Sequence, residues 1–120
     1  ACCHFRKALP LGRALKRFEA TVTGRKRFQT STRATMERVE LADGRFRFNP
    51  LADWSSSDLA RYIEANRLPV HPLVNDGYPS IGCMPCTRRV AAGGDYRSGR
   101  WAGLEKDECG MHSGVDGEGI

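Results

Sequence analysis

The sequence has no long hydrophobic run, no internal repeat and no low-complexity segment. No stretch approaches the roughly 18 consecutive apolar residues that predict a membrane-spanning helix. The opening residues Ala1–Lys7 are polar and basic, unlike the apolar core of a secretory signal peptide. With 40% hydrophobic and 28% charged residues, the composition is typical of a globular chain rather than a disordered one. We therefore expect a cytoplasmic protein without a membrane partner.

Positive charge is concentrated in the first part of the chain. Residues 1–50 hold 12 Lys and Arg against 4 Asp and Glu, whereas residues 51–120 hold 7 against 10. A basic segment favours an anionic partner such as a phosphate, a sulfate or a nucleic acid. A solvated basic surface would give the same composition, so charge alone leaves both interpretations open.

Local patterns in the first part of the chain predict one helix and one strand. Residues 4–18 carry apolar side chains at helical spacing, and Pro10 and Gly12 are expected to break or kink that helix. The short apolar and β-branched stretch Ala20–Thr23 predicts a strand that ends at Gly24.

Two further segments give stronger local signals. Residues 39–42 and 45–48 alternate in polarity around Asp43-Gly44, which predicts a β-hairpin with a two-residue turn. Residues 55–66 predict a helix capped by Ser55 or Ser56. From residue 73 onward Gly and Pro are frequent, so this part of the chain is expected to be rich in loops.

Five cysteines carry most of the chemical information. In a chain without a secretory signal they indicate metal binding or catalysis rather than a disulfide scaffold. Cys83 and Cys86 form a Cys-x-x-Cys pair, a spacing shared by redox dithiols, zinc sites and iron–sulfur sites. The adjacent Cys2 and Cys3 suit a cluster better than one zinc ion, because neighbouring thiolates can bind different irons. The two pairs together supply the four thiolates of a 4Fe-4S cluster, with a four-cysteine zinc site as the alternative.

The fifth cysteine and one lysine are candidates for roles beside that metal site. Cys109 is a candidate nucleophile, but the acidic residues around it do not activate a thiolate, so the activating charge must come from the folded site. The alternative is a free surface thiol in a tail. Lys7 lies four positions after Cys3, which on a helix places its ammonium group near the cluster side.

Two groups of arginines are candidate anion sites. Arg97 and Arg100 lie three residues apart and can clamp one tetrahedral oxyanion, because a guanidinium group donates paired hydrogen bonds. Arg25 and Arg27 in the basic loop are a further candidate site for a substrate anion. Both groups are equally compatible with solvated surface charge.

Several segments follow one another in the order found in a known family. They are Cys2-Cys3-His4-Phe5-Arg6-Lys7, Pro10-Leu11, Thr23-Gly24-Arg25-Lys26-Arg27, Asn49-Pro50-Leu51-Ala52-Asp53-Trp54, Leu68-Pro69-Val70-His71-Pro72-Leu73, Gly77-Tyr78-Pro79-Ser80-Ile81-Gly82-Cys83-Met84-Pro85-Cys86-Thr87, Asp95-Tyr96-Arg97-Ser98-Gly99-Arg100-Trp101 and Glu108-Cys109-Gly110-Met111-His112. On these motifs the sequence resembles the assimilatory sulfonucleotide reductases, specifically their iron–sulfur branch, the adenylyl-sulfate reductases.

The resemblance implies reduction of adenylyl sulfate to sulfite and AMP, a step of sulfate assimilation and cysteine biosynthesis. Cys109 would attack the sulfur and form S-sulfocysteine, from which thioredoxin or a similar dithiol would release sulfite. Arg97, Arg100 and His112 would bind the sulfonate oxygens, and Lys7 would link cluster and substrate. No nucleic-acid partner is implied. The alternatives are the same reaction on the 3′-phosphorylated nucleotide, a zinc-stabilised module that binds nucleic acid, and an inactive remnant.

The resemblance also implies an α/β fold, the C-terminal part of an adenine-nucleotide α-hydrolase-like (PP-loop) domain. Its features would be a β-hairpin, helices and a loop-rich iron–sulfur region. Residues 1–112 would form the cluster-binding and catalytic part, and residues 113–120 a flexible tail. The family's N-terminal nucleotide-binding half has no counterpart in this sequence, so we expect the chain to start within the domain. The oligomeric state is left open, with a homo-oligomer among the options.

Overall fold

The computed structural model describes residues 2–105 and 108–111, which divide into two compact units. Unit 1 comprises the residues up to Arg27, then Thr35–Asp53, and the segment from Glu108. Unit 2 comprises Phe28–Ala34 and Trp54–Asp107. The predicted tail at 113–120, and His112 with it, lies outside the described residues.

Regular elements are short in both units. They are a π-helical turn at His4–Ala8, α1 (Leu9–Leu15), β1 (Ala20–Val22), β2 (Val39–Ala42), β3 (Arg45–Phe48) and α2 (Ser56–Ala65), with 3-10 turns at Arg27–Gln29, Ser31–Arg33, Pro72–Val74 and Met84–Cys86. The described residues therefore form a mixed α/β structure with a three-stranded sheet and few helices, and the α/β class is as predicted. Within the described ranges, no helix has the length and apolar character needed to cross a membrane.

The first helix passes through Pro10 and Gly12 without a break, so the expected interruption was wrong. Helical conformation begins at Cys2 and ends at Leu15, three residues before the predicted end. The Leu9 amide donates to the His4 carbonyl oxygen, the wider bonding pattern of a π turn. This wider turn lies directly before Pro10, which has no N–H to donate and whose ring crowds the preceding turn of a regular α-helix.

The sheet has the order β1-β3-β2. β2 and β3 form the predicted hairpin, and both turn residues adopt left-handed backbone angles, with φ of 54° at Asp43 and 68° at Gly44. β1 pairs in parallel with β3, with Ala20 opposite Phe46. The predicted strand at residues 20–23 is confirmed one residue shorter, and the Thr23 amide continues the pairing by donating to the Phe48 carbonyl oxygen at 2.9 Å.

Asn49, directly after β3, is fully buried and connects three parts of unit 1. Its amide nitrogen donates to the Glu37 carbonyl oxygen and to a Glu40 carboxylate oxygen, both at 2.8 Å. Its side-chain oxygen accepts from the Thr23 hydroxyl and, at 3.1 Å, from the Arg25 guanidinium. Every hydrogen-bonding position of this amide is therefore used, which fixes the end of β1 against β2.

The helix α2 of unit 2 is capped at both ends by neighbouring residues of the chain. Ser55 caps α2: the Asp58 amide donates to the Ser55 hydroxyl at 3.1 Å, and the Ser55 amide donates to the Asp58 carboxylate at 2.9 Å. At the other end Arg67 takes a left-handed φ of 50°, and the Leu68 amide donates to the Ile63 carbonyl oxygen at 2.9 Å. These are the bonds of a Schellman motif, so the helix predicted over residues 55–66 is confirmed.

Few apolar side chains form the cores of the two units. Among the described residues, the buried apolar side chains are Met36, Ala52, Trp101 and Cys109. Trp101 belongs to unit 2 and the other three to unit 1. Because so little apolar surface is buried, polar networks such as that of Asn49 must supply much of the stability of each unit.

Replacing Asn49 with Ala should lower the free energy of unfolding by roughly 2–4 kcal/mol, because several buried polar groups would lose their partner at once. Urea unfolding followed by circular dichroism measures the change. Asn66→Ala is the matched control, since the exposed Asn66 amide makes one hydrogen bond, to the Tyr62 carbonyl oxygen. Equal losses for the two variants would show that the buried network does not stabilise the fold.

Asp58 should make stability depend on pH in the acid range. Hydrogen bonds from the Ser55 hydroxyl, the Ser55 amide and the Arg61 guanidinium lower the pKa of Asp58 from 3.8 to about 2. The carboxylate therefore stabilises the folded state above pH 3.8, and this contribution is lost as the pH falls towards 2. We expect the thermal midpoint of the wild type to exceed that of Asp58→Asn near neutral pH and to converge with it at about pH 2. A difference that does not change with pH would contradict this assignment.

Candidate functional site

The Cys-x-x-Cys pair lies on a tight turn whose shape is set by its neighbours. The Cys86 amide donates to the Cys83 carbonyl oxygen at 2.9 Å, which closes the 3-10 turn. The Thr87 hydroxyl donates to the same carbonyl at 2.9 Å and accepts from the Gly82 amide at 3.0 Å. Cys83 is exposed and Cys86 is half-buried, so the turn presents both thiols on one short, fixed segment.

The segment around Arg100 lies along this turn within unit 2. An isolated antiparallel bridge pairs Thr87 with Arg100. The Trp101 amide donates to the Cys86 carbonyl oxygen at 3.0 Å. These backbone bonds place the Arg100 side chain beside the cysteine turn.

Gly82 makes room for the Arg100 guanidinium. A Cβ atom at Gly82 would lie 2.3 Å from Nη2 and 2.5 Å from Cζ of Arg100, distances that exclude any larger residue unless the arginine moves. Nη1 of Arg100 donates to the Ile81 carbonyl oxygen at 3.1 Å. Its Nε is buried and has no hydrogen-bond partner among the described residues. A positive group with an unused donor is therefore held next to the Cys83–Cys86 turn.

Arg97 and Arg100 also share a polar cavity with Trp101. Their guanidinium carbons lie 5.6 Å and 4.5 Å from the centre of the Trp101 ring, which is buried. The cavity has a volume of about 500 Å³, within the usual range for ligand sites. The polar side chains that line it beside the two arginines include Gln29, Thr30, Ser31, Asp95 and Ser98. This arrangement suits an oxyanion, since guanidinium groups bind such oxygens in pairs.

Sequence reasoning did not assign Gln29, Thr30 or Ser31 to a site. They follow the basic loop as ordinary polar residues, and only the fold of unit 2 brings them to the same cavity as Arg97. Their one signal in the sequence was their position shortly after residues 23–27, a segment that resembles a family motif.

The second cysteine pair lies at the start of the first helix, in unit 1. Cys2 is exposed and Cys3 is half-buried. Lys7 is half-buried in the π-helical turn, four residues after Cys3 and close to one helical turn further along. A role of Lys7 beside a group bound by Cys3 stays a prediction.

The cysteines suit a thiolate-bound group, although the two pairs belong to different units. All five lie in the described residues, and none forms a disulfide. Cys2 and Cys3 are in unit 1, and Cys83 and Cys86 are in unit 2. Within residues 2–105 and 108–111, no set of three or more His, Cys, Asp or Glu side chains is grouped to hold a metal ion. Each pair nevertheless offers one exposed thiol, and thiolates are the ligands of both iron–sulfur clusters and zinc.

Arg25 is paired within unit 1. Its Nη2 lies 2.5 Å from a Glu40 carboxylate oxygen, and Arg47 Nη1 lies 3.8 Å from the same oxygen. Burial by itself would raise the pKa of Glu40, but the Asn49 hydrogen bond and the charges of Arg25 and Arg47 outweigh it and hold that pKa below 4.5. Glu40 therefore stays ionised and retains its partners at neutral pH.

Arg27 is paired in the same way. It forms an ion pair with Asp53, which Arg38 also contacts, and its Nε donates to the Met36 carbonyl oxygen at 2.7 Å. The hydrogen bond from Arg38, followed by the charge of Arg27, lowers the pKa of Asp53 despite the opposing effect of burial. Both arginines of the basic loop thus stabilise unit 1, and their contact with a substrate stays a prediction.

Cys109 lies in the segment from Glu108 to Met111 and is only 6% exposed. A nucleophilic thiol has to meet its substrate, so the predicted role of Cys109 would require this thiol to be uncovered. The predicted anion ligand His112 lies outside the described residues, as does Lys106. The role of Cys109 therefore rests on its motif and not on its surroundings in unit 1.

The sequence matches several curated relatives named adenosine 5′-phosphosulfate reductase. The protein from Mesorhizobium japonicum is 55% identical over 117 residues, which cover 97% of this chain and 46% of the relative. The protein from Chelativorans sp. is 53% identical over 111 residues, covering 92% and 45%. The protein from Mycolicibacterium smegmatis is 50% identical over 113 residues, covering 92% and 48%. The chain thus spans about half the length of the curated relatives it matches.

A family match covers the greater part of the chain. Residues 1–89 match the family described as the phosphoadenosine phosphosulfate reductase domain. The matched range includes both cysteine pairs, the sheet and α2. The chain therefore belongs to the phosphoadenosine phosphosulfate reductase domain family.

Proposed function

We propose that this chain is the cluster-binding and catalytic part of an enzyme that reduces adenylyl sulfate to sulfite and AMP. The observation that carries the proposal is the position of the Arg100 guanidinium. It lies beside the Cys83–Cys86 turn because Gly82 has no side chain to exclude it. It also lines a polar cavity with Arg97. This geometry supports the assignment of a thiolate pair and an oxyanion site to one unit. The names of the curated relatives favour the same reaction.

The reaction would proceed through a covalent intermediate on Cys109. Its thiolate attacks the sulfur of adenylyl sulfate, the bond from sulfur to the bridging oxygen breaks, and AMP leaves with the electron pair. The product is S-sulfocysteine. A thiolate of a cytoplasmic dithiol protein such as thioredoxin then attacks the Cys109 sulfur and releases sulfite. The second thiol of the dithiol resolves the mixed disulfide, so the dithiol supplies the two electrons and Cys109 is restored.

The basic residues would stabilise the charge on the sulfonate oxygens. Arg97 and Arg100 are the first candidates because both line the same polar cavity, and His112 and Lys7 are the further ones. Since Cys109 is 6% exposed, the segment that carries it has to open before the thiol reaches the sulfur.

Cys2, Cys3, Cys83 and Cys86 would hold a 4Fe-4S cluster. When bound, such a cluster would supply a fixed charge that organises and polarises the site without changing its oxidation state. The thiol donor set supports this assignment, and a lysine four residues after Cys3 would balance the negative charge of the thiolates.

The finer features of the fold are part of the same proposal. Residues 1–112 would be the C-terminal part of a PP-loop domain whose nucleotide-binding half is N-terminal. The chain's coverage of about half of each relative supports this division. The complete enzyme would act in the cytoplasm, with a homo-oligomer as one option for its assembly.

The second candidate substrate is the 3′-phosphorylated form of adenylyl sulfate. The family is described by this nucleotide, phosphoadenosine phosphosulfate. The names of the relatives and the four cysteines outside the nucleophile motif favour adenylyl sulfate. The test is kcat/KM for both nucleotides, measured on the chain joined to the part of the Mesorhizobium japonicum relative that it does not match. Faster turnover of the 3′-phosphorylated nucleotide would overturn the substrate assignment.

Cys109→Ser should abolish formation of S-sulfocysteine while leaving the iron content unchanged. The protein used is the chain joined to the part of the Mesorhizobium japonicum relative that it does not match. After this protein is incubated with adenylyl sulfate, intact-mass spectrometry measures the addition of one sulfonate group. Cys83→Ser is the matched variant, for which we expect loss of iron because one cluster ligand is missing. A sulfonate adduct on the Cys109→Ser protein would show that another residue is the nucleophile.

Gly82→Ala should reduce kcat/KM for adenylyl sulfate by roughly 10- to 100-fold, because the new methyl group displaces a guanidinium that binds the anion. Gly24→Ala is the control, since among the described residues nothing beyond its chain neighbours lies within 4 Å of a Cβ at that position. Steady-state kinetics compare both variants with the wild type. If Gly82→Ala has the kcat/KM of the wild type, the Arg100 guanidinium does not bind the substrate anion.

A further inference from the structure

The polar cavity of unit 2 has two walls that come from distant parts of the chain. One wall is formed by the segment 95–104, which carries Arg97 and Arg100, and the other by residues 28–31. The rings of Phe28 and Tyr96 meet edge to face with their centres 6.5 Å apart, a contact that joins the two walls. Residues 28–31 carry no charge, so this wall can bind an anion only through hydrogen-bond donors.

Gln29 offers such a donor, and its orientation is set by Arg33. Nη1 of Arg33 donates to the side-chain oxygen of Gln29 at 2.5 Å. A guanidinium group has donors only, so it can meet the oxygen of an amide but not the nitrogen. The Gln29 amide is therefore held in one of its two flipped orientations. In that orientation, the group that Gln29 presents to a ligand in the cavity is the nitrogen, which only donates.

Arg33 is well placed to hold this orientation. It is only 9% exposed, and the turn Ser31–Arg33 brings it back towards Gln29. Its amide donates to the Thr30 carbonyl oxygen at 3.1 Å. A buried guanidinium that loses an acceptor is strongly destabilised, so the bond to Gln29 is expected to persist. Among the described residues Arg33 does not itself line the cavity, so it can act on a ligand there only through its neighbours.

We propose that Arg33 is a positioning residue for the oxyanion cavity, where it holds the Gln29 amide so that the amide nitrogen donates to a bound sulfate or sulfonate group. Arg97 and Arg100 supply the positive charge, and Gln29 supplies a neutral donor from the opposite wall. A flipped amide would instead present its carbonyl oxygen, which repels an anion. The inference rests on the anion site of the proposed function and adds the residues that make its uncharged wall a donor.

The first measurement is made on the wild-type protein, the chain joined to the part of the Mesorhizobium japonicum relative that it does not match. Glutamine is labelled with ¹⁵N, and the side-chain NH₂ signal that disappears in Gln29→Ala identifies Gln29. This signal should shift in a saturable manner when inorganic sulfate is added at constant ionic strength. The titration also gives the Kd for sulfate, and it needs no variant of the buried Arg33 to fold.

Gln29→Glu separates a role in binding from a role in stability. The new carboxylate keeps one oxygen for Arg33 but places a second oxygen where the amide nitrogen was. We expect the Kd for sulfate to rise at least about tenfold, while the free energy of unfolding stays equal or increases through the new ion pair. A merely structural residue would change stability and not binding. Asn75→Asp is the matched control, because it makes the same exchange at an exposed position of unit 2 and should leave the Kd unchanged.

Arg33→Met tests whether the arginine acts through Gln29. Alone, it should raise the Kd for sulfate by roughly three- to tenfold, because the amide is then free to flip. In a Gln29→Ala background it should change the Kd less than about twofold, since there is no amide left to orient. Arg61→Met, which removes an exposed arginine of unit 2 that pairs with Asp58, is the control for the lost charge.

Three results would overturn the proposal: a Gln29 signal that sulfate does not shift, an unchanged Kd in Gln29→Glu, or equal effects of Arg33→Met with and without Gln29. Failure of the proposed function would look different, because sulfate binding needs no turnover. Absence of adenylyl-sulfate reduction together with the expected sulfate affinities would refute the reaction and support the positioning role. Reduction with the wild-type kcat/KM in Gln29→Glu would refute the positioning role and leave the reaction in place.

Discussion

The side-chain amide of Asn49 is the interaction on which unit 1 depends. It is fully buried and joins the end of β1, through Thr23, to the Glu40 carboxylate on β2. The same carboxylate holds Arg25, which keeps the basic loop against the sheet. A hydrophobic core of ordinary size would make such a network secondary. Here few apolar side chains are buried, so the geometry of the polar groups determines how the strands and loops are arranged.

Few apolar side chains are buried among the described residues of either unit. The chain spans about half the length of the curated relatives it matches. Metal ligation by the two cysteine pairs would add the stability that so small a core cannot supply, because binding energy at a structural metal site is also folding energy. Function and stability would then depend on the same four thiolates.

Features with local signals could be predicted from the sequence. The hairpin followed from Asp43-Gly44, which supplies two left-handed residues, and α2 followed from its capping residues. The cysteine pairs were identified by their spacing, and the motif around Cys109 by its resemblance to the family. Features that depend on distant packing could not be predicted. These include the parallel pairing of β1 with β3, the burial of Cys109, and the place of Arg100 beside Gly82.

The central claim is that four cysteines bind an iron–sulfur cluster next to an oxyanion site. The most direct test is the iron, zinc and acid-labile sulfide content of the chain, joined to the part of the Mesorhizobium japonicum relative that it does not match and purified without oxygen. We predict roughly four iron and four sulfide per chain, with a broad visible absorption band from thiolate and sulfide charge transfer. Zinc without sulfide would contradict the account and indicate a structural four-cysteine zinc module, and the absence of both metals would contradict any metal-binding role for these cysteines.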